Sequence, residues 1–174
     1  MINTDYLIES LNILLNEDCI SERYYQLISV REDIITGLKS LGCVTKSDAL
    51  RLADGELAKL MLNDEAKVKL FRKFLTMYDV KPQKLKEITK LTSDAEEQKA
   101  FTELYHLPGV RFTRAYLYYH SGYRCLQDFL NTTVEEVRLK TAKTISDKNL
   151  NCIVPLPKEI LTHIAVAKAF CLCV

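Results

Sequence analysis

The residues in this chain best suited to chemistry are bases gathered at a turn. Pro108-Gly109-Val110-Arg111 is followed at once by Thr113 and Arg114. Proline fixes its own φ and glycine accepts a positive one, so the chain reverses there and a helix starts. A helix start carries unpaired N–H groups and a partial positive charge. Amides near Gly109, Val110 and Arg111, the Thr113 hydroxyl and the Arg111 and Arg114 guanidinium groups therefore converge, and the ligand they suit is a phosphate. A second basic set is Lys69, Arg72 and Lys73, outward on a helix whose inner face is Val68, Phe71, Phe74, Leu75 and Tyr78.

Other chemistries find less support. His106, His120 and His163 are scattered without metal-ligand spacing, and Cys171-x-Cys173 has no second pair, so no metal is expected. No Ser-His-Asp set, phosphate-binding glycine loop or carboxylate cluster is visible. No catalytic residue and no cofactor are expected, and the chain reads as non-enzymatic. Tyr116, Tyr118, Tyr119 and Tyr123 offer faces on which bases could stack. Tyrosines at helical spacing are more often core and rim residues. The terminal Cys171-Leu172-Cys173-Val174 has the form of a prenylation box, but no polybasic stretch immediately precedes it, and a buried helix end is the simpler reading.

The elements that must position the turn are helices. Leu104-x-x-Leu107 ends one helix, and Phe112, Ala115, Tyr116 and Tyr119 line one face of the next. Gly122 ends that helix, and Thr133-x-x-Glu136 opens another. Ser29-x-x-Glu32, Thr45-x-x-Asp48 and Ser93-x-x-Glu96 are further capping boxes, and Asn63 is read as the cap of the basic helix. Pro82 and Pro157 each suit a first helical position. Between Val137 and Pro155 lies a polar segment, Lys140 to Asn151.

This arrangement resembles the helix-hairpin-helix superfamily. The resemblance rests on Leu107-Pro108-Gly109-Val110, on Ala115 six residues after the glycine, and on Gly122-Tyr123 followed by Leu126-Gln127-Asp128-Phe129-Leu130. The run Arg114-Ala115-Tyr116-Leu117-Tyr118-Tyr119-His120-Ser121-Gly122-Tyr123 looks most like a bacterial domain family of unknown function within that superfamily. One position departs from the glycine-apolar-glycine hairpin: Arg111 stands where the second glycine would. The resemblance implies hairpin amides that hold phosphate and no assigned activity. It also invites comparison with base-excision glycosylases, for which Asp128 would be the only analogue of the acid. That residue falls where a first-turn helix acid is expected anyway.

Composition narrows the classes. The chain has 174 residues, 48% of them hydrophobic, with five glycines and four prolines, which suits a helical globular protein rather than a turn-rich β fold. Net charge is +1, from 24 basic and 23 acidic side chains, a small excess for a protein that coats nucleic acid. The charge is segregated: residues 1–26 are acidic and residues 67–90 are basic. Residues 1–20 do not have the pattern of a secretory leader, and no apolar run reaches transmembrane length. A cytoplasmic location, free thiols at all six cysteines and no membrane partner are the expectations.

A register shift of 80 residues aligns the halves: Leu27 with Leu107, Val30 with Val110, Arg31 with Arg111, Gly42 with Gly122, Asp48 with Asp128 and Glu56 with Glu136. With a slightly shorter shift Pro82 meets Pro157. The expected fold is all-α: two tandem helix-hairpin-helix-like (SAM-like) units packed as one compact body, 1–91 with a degenerate hairpin and 92–174 with the better-formed one. Two functions follow as expectations. One is a module that binds DNA or RNA weakly and without sequence preference. The other is a protein-interaction or assembly module, including a homodimer through the apolar helix beginning near Lys158.

Overall fold

The computed structural model describes residues 6–171. Among them every regular element is helical: α1 Leu7–Leu14, α2 Arg31–Ser40, α3 Lys46–Arg51, α4 Asp54–Leu60, α5 Glu65–Thr76, α6 Pro82–Leu91, α7 Ala95–Leu104, α8 Phe112–His120, α9 Val134–Lys148 and α10 Pro157–Phe170. Two 3-10 segments, Glu22–Val30 and Leu126–Phe129, complete the order. No described helix is long and apolar enough to cross a membrane. The end of the prenylation-like tail, residues 172–174, lies outside the described residues.

The chain divides into two compact units, residues 1–78 with 169–174 and residues 79–168. In the first, α5 packs on the 3-10 segment Glu22–Val30, on α4 and on α3, while α2 packs on α1. Its amphipathic pattern explains this: Val68, Phe71, Phe74 and Leu75 are buried on one side of α5. Phe74 meets the Tyr24 ring edge-on at 5.4 Å. In the second unit α7 packs on α8 and α6, and α8 packs on α9. Its core is aromatic: Tyr118 and Phe129 meet edge-on at 5.2 Å, and Phe101 meets Phe112 at 5.5 Å.

Several helix starts differ from expectation, each for a local reason. Ser29 does not cap α2; its hydroxyl donates to the Gln26 carbonyl inside the 3-10 segment, and Val30 takes the N-cap position. Asp64, not Asn63, caps α5, accepting from the Ala66 and Lys67 amides. Asn63 instead has a positive φ of 59°. Asp94, not Ser93, caps α7, accepting from Glu96 and Glu97. A carboxylate is the stronger acceptor where the two compete. The polar segment from Lys140 is helix through Lys148, because Thr141 and Thr144 bury in place of aliphatic residues. Each threonine returns its hydroxyl to a carbonyl one turn back, Val137 and Lys140 respectively.

Local geometry recurs at the 80-residue spacing. Gly42 and Gly122 both have positive φ, 68° and 92°. Gly42 N–H donates to Lys39 and Cys43 N–H to Leu38, as Gly122 N–H does to Tyr119 and Tyr123 N–H to Tyr118. The Asp48 carboxylate then accepts from the Val44 and Thr45 amides, and the Asp128 carboxylate from the Arg124 and Cys125 amides.

Candidate functional site

The turn after α7 is built as its residues demand. Gly109 has a φ of 76°, which a residue with a Cβ resists. The Val110 amide closes the turn onto the Leu107 carbonyl at 3.2 Å, and both side chains are buried. Helix α8 then begins with Arg111 as its N-cap, in extended backbone and with no side-chain hydrogen bond to the helix start. That end therefore differs from α5, α7 and α9, where Asp64, Asp94 and Thr133 fill the same position.

An open cleft of about 550 Å³ lies at this end, lined by Gly109, Arg111, Thr113, Arg114, Asn151, Cys152, Ile153 and Glu159. Gly109, Arg111 and Thr113 are exposed. Val110, expected as a donor, is buried and its amide is already bonded to the Leu107 carbonyl, so the turn closes on itself there instead of offering that N–H to a ligand. Arg114 is partly buried and internally paired. Its Nε lies 2.9 Å from a Glu159 carboxylate oxygen, and its guanidinium donates to the Ile153 carbonyl at 2.9 Å. It ties α8 to the start of α10 and leaves Arg111 as the exposed guanidinium of the pair.

The second basic set lies on α5, in the other unit. Lys69 and Lys73 are exposed. Arg72 reaches away from solvent, donating to the Leu50 and Leu52 carbonyls and to Asp54 at 2.7 Å. It fastens α5 to the junction of α3 and α4. Within the same unit as the hairpin, α6 packs on α7, with Lys81 at its N-cap and Lys86 and Lys90 exposed along it. The Tyr105 hydroxyl registers both sides: burial and Glu87 of α6 push its pKa up, while Arg111 pulls it down.

His163, one of three histidines scattered along the sequence, is central to the packing of the turn. It is fully buried in α10, with Nε2 2.9 Å from the Pro108 carbonyl and Nδ1 2.8 Å from the Tyr118 hydroxyl. Burial, first, drives its pKa down to about 4. No short-range signal marks this bridge, because its partners are 45 and 55 residues away.

The chain matches no family model, no curated protein and no solved structure. Its helical architecture and the geometry above are the ground for a functional reading. Among the described residues no cluster of histidine, cysteine, aspartate and glutamate could hold a metal ion.

Proposed function

We propose that the second unit is a non-catalytic, helix-hairpin-helix-like module that binds nucleic-acid phosphate weakly and without sequence preference. The first unit is its degenerate copy, and among the described residues α1 to α5 with one 3-10 segment then stand against α6 to α10 with the other, six helical elements each. In that alignment α5 corresponds to α10, so the pairing of Pro82 with Pro157 gives way to one that places Pro82 at the start of the second copy. The recurrent glycine and aspartate geometry supports the duplication.

The observation that carries the binding reading is the uncapped start of α8 at an open cleft, with Arg111 and Thr113 exposed beside it. The first-turn amides and the helix dipole favour an anion there, and Arg111 supplies a full charge. The exposed lysines of α6 add bases within the same unit. Arg114 supplies position rather than charge, since Glu159 neutralises it. The test is a salt series with the full chain on single- and double-stranded DNA and RNA. Affinity falls with salt at a log–log slope of about −0.9 per duplex phosphate neutralised. Arg111→Ala flattens that slope by about one unit. Absence of binding at low salt, or indifference to Arg111→Ala, overturns the reading.

A protein-contact role is the second reading, favoured by apolar exposure at the same cleft. Ile153 on its rim is 70% exposed and the nearby Leu156 61%. The α10 face has less to offer a homodimer, because Ile160, Val166 and Ala167 are buried within the chain. Self-association that disappears in Ile153→Asp, together with no phosphate binding, selects this reading.

A further inference from the structure

The groups around His163 form a line from α8 through α10 to the hairpin turn. The Pro108 carbonyl can only accept a hydrogen bond, so Nε2 carries the ring proton. Nδ1 is then the acceptor, and the Tyr118 hydroxyl donates to it. The neutral Nε2–H imidazole pairs with both neighbours and leaves the Tyr118 proton bonded, whereas the imidazolium would leave that proton without this partner.

We propose that the Tyr118–His163–Pro108 bridge is an acid-sensitive latch that holds the hairpin turn against α10. The inference stands apart from phosphate binding, because it concerns what fixes the turn and not what the turn holds. Protonating Nδ1 places a donor against the Tyr118 hydroxyl, which must then turn its own proton elsewhere. It also places a charge in a site with no exposed surface. The charged groups facing the ring are Glu159 of α10, which favours the imidazolium, and Arg114 of α8, which opposes it. They are paired with each other, so no uncommitted carboxylate receives the new charge. Tyr118 is the remaining titratable neighbour, and its own pKa is raised by burial.

The direction of the response follows. The latched ring has its pKa depressed to about 4, against 6.5 for an ordinary histidine. An opened turn, with the ring in water, binds a proton more readily. The latched state is therefore fully favoured above pH of about 6.5 and loses ground as pH falls towards the folded value. Linkage puts the rise in the opened population at about twentyfold between pH 7 and pH 5. The Val110–Leu107 hydrogen bond and the buried Leu107 and Val110 side chains also hold the turn, and a short turn of this kind opens more readily than the helices it joins.

Amide exchange and ring ¹⁵N spectra of the full chain test this. At about pH 7 the spectrum shows the Nε2–H tautomer. The protection factor of the Val110 amide falls about twentyfold by pH 5, while that of Leu75 in α5 holds. Tyr118→Phe removes the donor to Nδ1, so the latched imidazole becomes more basic; the loss of protection still begins near pH 6.5 but is smaller and levels off at a higher pH than in the wild type. His163→Gln retains a donor for the Pro108 carbonyl and removes the titration, so Val110 protection becomes independent of pH. Should that variant not fold, the wild-type tautomer and the reduced pH response of Tyr118→Phe decide alone. An Nδ1–H tautomer, a Val110 protection factor that stays flat, or one that falls in step with Leu75 overturns the latch.

Discussion

Arg111 and Arg114 sit one helical turn apart in the same motif, yet their surroundings give them different work. The distinction comes from Glu159 and the Ile153 carbonyl, 45 and 39 residues further along, and nothing near the motif announces either. Sequence shows that two bases stand at a helix start; it does not show which of them is already neutralised. The same holds for Arg72, outward by helical periodicity but bent back onto the Leu50 and Leu52 carbonyls. The separation is measurable by denaturant unfolding. Arg114→Ala leaves Glu159 and the Ile153 carbonyl without their partner at a largely covered site, and is expected to cost roughly 1–3 kcal/mol. Arg72→Ala, which uncovers two carbonyls, belongs in the same range of about 1–3 kcal/mol. Arg111→Ala, exposed, stays within about 0.5 kcal/mol. Equal losses at Arg111 and Arg114 would mean that the exposed guanidinium also has a structural role.

At the level of elements, several turns and caps were legible, though Ser29, a lone candidate, does not cap α2. Gly122 ends α8, Thr45 and Asp48 reciprocate across the start of α3, and Pro82 opens α6. Where two polar residues adjoin, as at Ser93-Asp94 or Asn63-Asp64, pattern alone favoured the wrong neighbour. Helix α9 was the hardest to see. Its apolar periodicity lapses after Val137, since Thr141 and Thr144 fill the buried face and Leu139 lies exposed. A threonine-lined face is readable only once the hydroxyls are seen returning to their own helix. The repeated aspartate turn gives a paired prediction. Asp48 and Asp128 each accept two backbone amides in the same geometry, so Asp48→Ala and Asp128→Ala should each lower the unfolding midpoint, and by similar amounts. A loss at one site only would show that the recurrent geometry does not have recurrent weight.

At the scale of the molecule, the basic stretch 67–90 read as one feature falls across two units, with Lys81, Lys84, Lys86 and Lys90 on the hairpin's side of the division. On the other side Lys67 pairs with Asp64 at 3.1 Å and Arg72 with Asp54 at 2.7 Å, leaving Lys69 and Lys73 as the exposed pair at issue. A net charge of +1 therefore averages over surfaces that differ, and the useful question is which bases a phosphate chain can reach. The proposed site lies wholly within residues 79–168, so the α6 lysines should matter most. Lys86 and Lys90 are four residues apart on one helix and both exposed. Reversing both to glutamate removes two bases from the proposed module and adds repulsion. In a salt series on duplex DNA the slope should flatten by about two units, with affinity reduced at every salt concentration. Lys69→Glu with Lys73→Glu has the same formal charge change, and so controls for net charge alone. It should alter the slope by less than half as much, about one unit at most. Equal effects from the two pairs would mean that binding follows overall charge, and the hairpin would then have no special claim on the phosphate.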